Sequence, residues 1–203
     1  MPVYLDYNAT TPVDPEVQET IYREMRETWG NPSSSYDVGK KAKSVIENAR
    51  GKVAEMIGCK ADEIIFTSGG TESNNMVIHT AIRHFNYEMN NVLNNNSDNS
   101  KPHIITTNIE HDSIKLPLEV LLAEEKIVVT FVQVSKKTGI VEIDDIVNAV
   151  RPNTCLITVM LANNETGIIQ PVSLIRSRLK TLKRSKVHNA LPTIFLHTDA
   201  AQA

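Results

Sequence analysis

The sequence predicts an α/β protein with a mainly parallel sheet and helices on both faces. Short apolar runs of strand length alternate with amphipathic helical patterns over most of the chain. A pair of glycines lies between the first apolar run and a helical pattern, which is typical of a strand-to-helix turn. The 203 residues, 41% of them hydrophobic, suffice for one sizeable core. Alternation of strands and helices implies parallel strands covered on both sides.

Five apolar runs are predicted as strands: residues 64–66, 103–107, 128–134, 156–162 and 193–197. Helical patterns separate most of them: residues 76–85, 114–123, 143–150 and 172–182. Pro117 lies inside the second of these patterns. Since proline removes a helical hydrogen bond, we expect a kink or a later helix start there.

Two further helices are predicted before the first strand. The earlier one has Asp14 as N-cap, Pro15 at its first position and Gly30 at its end. Its apolar face consists of four residues at helical spacing: Val17, Ile21, Met25 and Trp29. The later helix starts near Val38 and stops at Gly58. Residues 1–13 form an N-terminal arm with little apolar content.

Residues 86–101 are predicted as a surface insertion. Six of the ten residues 90–99 are asparagine. Such a composition buries too little apolar surface to order itself.

Composition and charge exclude several classes of protein. A net charge of −3 gives no reason to expect a nucleic acid or an anionic membrane as partner. No apolar run approaches the roughly 20 residues that span a bilayer, and the first residues resemble neither a signal nor a transit peptide. Cys59 and Cys155 lie far apart, which favours a reducing compartment, packing roles for both and a cytoplasmic location. We predict no metal site.

The turn Ser68-Gly69-Gly70-Thr71 is a candidate anion site. A strand, a glycine turn and a helix N-terminus together present free N–H groups and a positive dipole end. A phosphate is the natural ligand for such a turn, and the hydroxyls of Ser68 and Thr71 can add donors. The alternative is an ordinary turn in which Ser68 or Thr71 caps the helix. The spacing matches neither a P-loop nor a GxGxxG dinucleotide turn.

Polar side chains also follow three later strands. His111 comes after residues 103–107, Asn164 after 156–162, and Asp199 with Gln202 after 193–197. Ligands of parallel α/β sheets collect beyond the carboxyl ends of the strands. Taken singly, each residue can equally be a surface, turn or capping residue. Their shared placement predicts one site.

Pyridoxal phosphate (PLP) matches this set of groups. It needs a phosphate anchor, a carboxylate beside its pyridine nitrogen and a flat side chain against its ring. The carboxylate keeps the nitrogen protonated, so that the ring can withdraw electrons from a substrate carbanion.

The chain resembles the N-terminal half of class V aminotransferase-type PLP enzymes. The matching segments occur in family order: residues 5–12, 30–34, 66–75, 110–111, 162–167 and 197–202. The resemblance implies a fold-type-I large domain that is truncated, without the C-terminal small domain. Within the family the chain is most similar to the group of cysteine desulfurases and selenocysteine lyases. Residues 111–119, the polar insertion and residues 198–202 lean toward the lyases.

The resemblance assigns the cofactor to six residues: Gly70, Thr71, His111, Asn164, Asp199 and Gln202. Gly70 and Thr71 are expected to hold the phosphate. His111 is expected to stack on the ring and is a candidate proton shuttle, and Asp199 pairs with the pyridine nitrogen. The two carboxamides contact the ring and its hydroxyl.

The resemblance also places four N-terminal residues near the substrate: Asn8, Ala9, Thr10 and Asn31. The substrate is expected to be selenocysteine, converted to alanine and reduced selenium, with cysteine desulfuration as the alternative. The full-length family protein is expected to be a homodimer.

The family's Schiff-base lysine, substrate-binding arginine and reactive cysteine are expected downstream of Ala203. The 203 residues contain no His-Lys pair. The chain by itself is therefore predicted to be inactive. A non-catalytic short form that binds full-length subunits is a further alternative.

Overall fold

The computed structural model describes residues 2–93, 100–182 and 192–203. The chain divides into two compact units, Met1–Phe66 and Thr67–Ala203. In the described residues, no helix is both long and apolar enough to cross a membrane.

The N-terminal unit begins with helix α1, Pro15–Glu27. As predicted, Asp14 caps it, and its side chain accepts a hydrogen bond of 2.8 Å from the Glu16 N–H. The helix ends before Gly30, because Thr28 takes the C-cap position and its hydroxyl donates to Glu24 at 2.6 Å. All four residues of the predicted apolar face are exposed, from 49% to 73%: Val17, Ile21, Met25 and Trp29.

Helix α2, Asp37–Ile57, confirms the second predicted helix. Gly58 ends it in the left-handed conformation at φ 74°, which glycine adopts without steric cost. A short 3₁₀ turn follows at Ala61–Glu63.

The strand predicted over residues 64–66 is wrong. This segment pairs with no strand in the part of the chain that the structure describes, and Ile65 and Phe66 are more than half exposed. The Arg50 guanidinium donates to the Ile64 carbonyl at 2.5 Å and lies 4.9 Å from the centre of the Phe66 ring. The Arg50 side chain thus takes the place of a neighbouring strand as hydrogen-bond donor to Ile64, and it also contacts the Phe66 ring.

The C-terminal unit contains the sheet. Its strands are β1 (His103–Thr107), β2 (Val128–Val132), β3 (Thr154–Thr158) and β4 (Phe195–His197). All described pairs are parallel, and the order is β2-β1-β3-β4. The parallel sheet predicted from the alternation is confirmed. Strands β2 and β4 are shorter than predicted, and β3 is shifted toward the N-terminus.

The described residues of this unit form four helices: α3 (Gly70–Leu93), α4 (Asp112–Ala123), α5 (Ile143–Asn148) and α6 (Val172–Lys180). Helix α3 continues past Phe85 into the range predicted as an insertion, since Met89 is buried in the core. Residues 94–99 of that predicted insertion lie outside the described residues. The later start predicted for α4 is wrong, because His111 caps it by accepting from the Ser113 N–H, and Pro117 lies inside the helix.

Apolar side chains pack on both faces of the sheet. Ile104 and Leu156, which are register partners, belong to the core beneath α3 and α4. The next pair, Ile105 and Ile157, belongs to a second core that includes Ile175 of α6. Side chains alternate between faces along a strand, so each strand contributes to both cores. Full burial of each such residue stabilises the fold by about 1.5–3 kcal/mol.

His103 is fully buried at the N-terminal end of β1, opposite to the edge where the strands end. Its Nδ1 lies 2.8 Å from the Thr154 hydroxyl and its Nε2 lies 2.9 Å from the Thr130 hydroxyl. Burial, helped by the nearby Arg151 charge, lowers the pKa of His103 from 6.5 to about 4. The imidazole is therefore a neutral structural group.

We expect this residue to make the fold sensitive to acid. Between pH 6.5 and about 4, His103 is protonated in the unfolded chain but stays neutral in the folded protein. The free energy of unfolding therefore falls as the pH is lowered. The loss attributable to His103 is on the order of 3 kcal/mol. Urea denaturation followed by circular dichroism at several pH values measures it. His103→Gln is expected to flatten this acid limb, whereas the exposed-residue control His79→Gln leaves it unchanged; equal slopes in all three proteins would contradict the assignment.

Candidate functional site

The parallel sheet brings the predicted site residues of the C-terminal unit to one edge. Glu110 and His111 follow β1, Asn164 follows β3, and Asp199 follows β4. Beyond the last paired strand residues, the Leu161 N–H donates to the Asp199 carbonyl at 2.8 Å. This bond keeps the segment after β4 beside the segment after β3. The shared placement inferred from the strand pattern is therefore present.

The glycine turn opens α3. Helix geometry leaves the first N–H groups, from Gly70 onward, without acceptors inside the helix. A Cβ built on Gly69 or Gly70 meets nothing within 4 Å, so open space adjoins this end of the helix. Thr71 is exposed in the first turn. The turn thus offers backbone donors, a hydroxyl and a positive dipole end to an anion.

Neither Ser68 nor Thr71 caps α3. The Ser68 hydroxyl and N–H both donate to the Glu72 carboxylate, the hydroxyl at 2.7 Å. These hydrogen bonds lower the pKa of Glu72. Thr71 lies within the first turn rather than before it. The capping alternative for these two residues is therefore wrong, and the Thr71 hydroxyl is not used as a cap.

Asn74 is the centre of the site. It is 3% exposed, and its amide nitrogen lies 2.8 Å from Asp199 Oδ2 and 2.8 Å from Ser113 Oγ. Ser113 Oγ in turn lies 2.9 Å from His111 Nδ1. The other carboxylate oxygen of Asp199 accepts from the Ala201 N–H at 3.0 Å. The helix that begins at the glycine turn is thereby joined to both the carboxylate and the imidazole.

Glu110 lies beside this network and is 8% exposed. Its Oε1 accepts from the Thr107 hydroxyl at 2.6 Å and from the Met160 N–H at 3.0 Å, which ties the ends of β1 and β3 together. Its Oε2 is buried without a hydrogen-bond partner among the described residues. Burial, with a contribution from the Asp199 charge, raises the pKa of Glu110 to about 7.

Asn163 holds the loop that carries Asn164. Its side-chain oxygen accepts from the N–H groups of Glu165 and Thr166 at 3.0 and 2.9 Å. Gly167 closes the loop at φ 70°, a conformation that favours glycine. Asn164 is half-buried beyond β3, and Gln202 is exposed beyond β4. Their contacts with a cofactor remain predictions.

The residues predicted near the substrate belong to the N-terminal unit. Asn8, Ala9, Thr10 and Asn31 are all exposed. The Asn31 side chain accepts from the Ser33 N–H at 2.9 Å, as in an Asx turn. Their role toward a substrate stays a prediction.

Neither cysteine has the setting of a nucleophile. Cys155 is buried in β3, and burial raises the pKa of its thiol to about 12. Cys59 is half-buried next to the end of α2, and its thiol lies 3.5 Å from the Lys60 carbonyl. The packing role predicted for Cys155 matches its burial.

Sequence reasoning missed three members of the site: Asn74, Ser113 and Glu110. A signal existed for Asn74, because it follows Gly70 by one helical turn and so lies on the same side of α3. Ser113 lies two residues after His111, and its N–H donates to the His111 side chain that caps α4. Glu110 belongs to the matching segment 110–111, but nothing in that segment indicated that its side chain is buried, since burial of a carboxyl is a tertiary property.

The fold and this edge define a class of protein. The sequence pattern of the class-V aminotransferases matches residues 3–203, and the chain belongs to that family. Pyridoxal phosphate is the cofactor of this class.

More particular similarities follow. The chain is 55% identical over 201 residues to a selenocysteine lyase of Xenopus laevis, which covers 99% of this chain and 47% of that protein. It is 39% identical to a mitochondrial cysteine desulfurase of Saccharomyces cerevisiae over 100% of this chain and 36% of that protein. A solved NifS-like protein matches with a TM-score of 0.83 and 35% identity over all of this chain and 50% of its own. The chain therefore spans about half the length, or less, of the curated relatives that it matches.

The donor set of this edge fits pyridoxal phosphate. The helix N-terminus at Gly70 and Thr71 suits a dianionic phosphate, and the open space beside the glycines admits it. The Asp199 carboxylate is oriented by Asn74 and the Ala201 N–H. His111 is exposed at the same edge and supplies a flat ring.

Proposed function

We propose that this chain is the cofactor-binding half of a PLP-dependent enzyme that removes the selenium atom from selenocysteine and leaves alanine, with an external thiol reductant supplying the two electrons that convert the selenium to selenide. The observation that carries this proposal is the hydrogen bond of 2.8 Å from Asn74 to Asp199. It links the helix whose N-terminus suits a phosphate to the carboxylate suited to a pyridine nitrogen. Family membership and the 55% identity to a selenocysteine lyase support the reaction type.

Each residue of the edge has a part in this proposal. Gly70 and Thr71 bind the phosphate and so fix the position of the ring. Asp199 holds a proton on the pyridine nitrogen, since an anion beside it favours the protonated form. His111 covers the ring, and Asn164 and Gln202 contact the ring and its hydroxyl. When bound, the cofactor supplies an electron sink for the substrate carbon.

The selenocysteine lyases are the better of two candidate groups. Identity to them reaches 55%, against 39–42% to the cysteine desulfurases of yeast, Dictyoglomus turgidum and Methanosarcina thermophila. Desulfuration of cysteine is the second candidate, because a structural relative at 33% identity was solved in complex with cysteine. Comparing alanine release from the two amino acids by the longer gene product decides between them.

The 203-residue chain alone is proposed to bind the cofactor without catalysing turnover. It contains no His-Lys pair to supply a Schiff-base lysine, and the buried thiol of Cys155 is unsuited to accept selenium. Sequencing the native transcript beyond the codon for Ala203 shows whether the missing groups are encoded. Alanine release from selenocysteine by the pure chain would refute this part of the proposal.

A cytoplasmic homodimer is the proposed form of the longer protein. This rests on the family resemblance and on the cysteine usage of the sequence. The alternative is a non-catalytic short form that binds full-length subunits. Sedimentation tests both the homodimer and this alternative. Sedimentation of the longer product alone measures its self-association, and a monomer would argue against the homodimer. Sedimentation of its mixture with the 203-residue chain measures mixed association, and the lack of a complex would argue against the short form.

Cofactor titration of the pure chain tests the proposed site. We expect pyridoxal phosphate to bind more tightly than pyridoxal, because only the former has the anion that the helix N-terminus attracts. Gly70→Pro removes one N–H donor, yet proline is tolerated at the first helical position and a Cβ at residue 70 enters open space. This variant is expected to lose the preference for the phosphate while keeping the helix. Equal binding of both ligands by the parent chain would overturn the phosphate site.

A further inference from the structure

In the network around Asn74, the donor and the acceptor of each hydrogen bond can be assigned. An ionised carboxylate can only accept hydrogen bonds, so the atom of Asn74 that faces Asp199 Oδ2 is the amide nitrogen. That nitrogen carries two hydrogens, and its second contact is Ser113 Oγ at 2.8 Å. Both donors of Asn74 are therefore used, one on each partner. Asn74 is 3% exposed and Ser113 is 7% exposed, so water does not compete freely at either bond.

The same assignment of donors and acceptors extends through Ser113 to the His111 imidazole. Its oxygen already accepts from Asn74, so its own hydrogen is available for His111 Nδ1 at 2.9 Å. The Ser113 N–H also points to Nδ1, at 3.1 Å, as part of the α4 cap. Two donors converge on one ring nitrogen. A proton on Nδ1 would face both of them, so the proton of the ring belongs on Nε2.

We propose that Asn74 and Ser113 are positioning residues that join Asp199 to His111 and orient the His111 imidazole, so that Nδ1 accepts from Ser113 and Nε2 carries the ring proton. Nδ1 is occupied by Ser113, and Nε2 has no hydrogen-bond partner among the described residues. Nε2 is thus the ring atom that can donate to a ligand. The inference deepens the proposed function, on which it rests for the identity of that ligand.

The network suits the positive charge that a protonated pyridine ring would bring. Asp199 as an anion stabilises a positive charge on the pyridine ring. An imidazolium stacked on a positive ring would be repelled by it, whereas a neutral imidazole is not. Asn74 donates to the residue that must remain charged, and through Ser113 it supports the neutral form of the residue that must remain uncharged. One buried amide therefore serves both requirements.

Nitrogen NMR of the histidine side chains reads the tautomer directly. The 203-residue chain, labelled with ¹⁵N at histidine and free of cofactor, contains six histidines, and His111→Gln identifies the resonances of His111 by their loss. We expect an acceptor-type Nδ1 and a protonated Nε2. A ring protonated on Nδ1 in the parent chain would overturn the inference. Cofactor does not enter this measurement.

Variants separate positioning from simple packing. Ser113→Ala removes the hydroxyl donor but keeps the backbone N–H that donates to Nδ1, so it is expected to shift the His111 Nδ1 resonance while the proton stays on Nε2; Ser113→Thr is expected to restore the parent resonance. Asn74→Ala is expected to move the His111 Nδ1 resonance although it does not contact the ring. Asn75→Ala is the matched control, because the Asn75 amide bonds to the Thr71 carbonyl of its own helix. The inference falls if Ser113→Ala leaves the Nδ1 resonance of His111 unchanged.

Two checks keep the outcomes distinct. Circular dichroism establishes whether each variant is folded. If a variant does not fold, the spectrum of the parent chain still tests the inference, because a His111 ring protonated on Nδ1 contradicts it without any variant. Addition of pyridoxal phosphate to the labelled parent chain is expected to shift His111 Nε2 more than Nδ1. Failure of the chain to bind the cofactor would overturn the proposed function and leave the tautomer result standing.

Discussion

Asp199→Asn is expected to weaken binding of pyridoxal phosphate by about 10- to 100-fold. The substitution keeps the shape of the side chain and an oxygen that can accept from Asn74 at the position of Oδ2. It removes the negative charge that favours a protonated pyridine nitrogen. A hydrogen bond to a charged group contributes about 1.5–3 kcal/mol, and each 1.4 kcal/mol corresponds to a tenfold change in affinity. Equilibrium titration followed by cofactor absorbance measures the change.

The matched control is Asp144→Asn. Asp144 is an exposed carboxylate on α5 that lies 3.7 Å from Arg178, on an element that contributes nothing to the strand-end edge. Its substitution removes the same charge from the chain and is expected to leave cofactor affinity unchanged. Unaltered binding by Asp199→Asn would show that this carboxylate does not contact the cofactor. A similar loss in both variants would assign the effect to net charge.

Glu110→Gln is expected to make the fold more stable than the parent above about pH 7. Burial raises the pKa of Glu110 from 4.5 to about 7. Between these values the folded protein keeps a proton that the unfolded chain loses, so the free energy of unfolding falls as the pH rises through this window. The total loss is on the order of 3 kcal/mol. Glutamine remains neutral at every pH and keeps an oxygen for the Thr107 hydroxyl and the Met160 N–H.

Urea denaturation of parent and variant across this window isolates the effect. The comparison is needed because His103 contributes an opposite slope: its lowered pKa makes the fold more stable as the pH rises from about 4 to 6.5. Glu119→Gln is the control, since that carboxylate is exposed on α4 beside Lys115. A Glu110→Gln protein less stable than the parent above pH 7 would show that the fold requires the ionised carboxylate.

The class of fold was readable from the sequence because it depends on local periodicity. Strand β1 was predicted with its observed ends, His103 and Thr107, since its apolar run is bounded on both sides by polar or turn residues. The N-cap of α1 and the C-cap of α2 were predicted correctly as well, because Asp14 and Gly58 act on backbone groups of their own helices, whereas α1 ends at Thr28 and not at the predicted Gly30. Such signals need no knowledge of distant residues.

Pairing partners were not readable in the same way. Residues 64–66 have the apolar composition of a strand, yet Arg50 satisfies the Ile64 carbonyl instead. Helix α3 continues beyond Phe85 because Met89 finds a place in the core, which its polar neighbours did not indicate. In both cases a contact between residues far apart in sequence overrides the local pattern.

The order of residues along the chain was enough to predict the parallel α/β class, the glycine turn at the start of α3 and the placement of His111, Asn164 and Asp199 after β1, β3 and β4. Those properties follow from order along the chain and from the common direction of parallel strands. The folded chain, by contrast, is needed to see that Asn74 joins Asp199 to Ser113, residues that lie 125 and 39 positions away from it in the sequence. The folded chain also shows that the Glu110 carboxyl is buried and holds its proton to about pH 7. Hydrogen-bond direction and the cost of burying charge depend on which atoms surround a group, and these are set by packing rather than by neighbours in sequence.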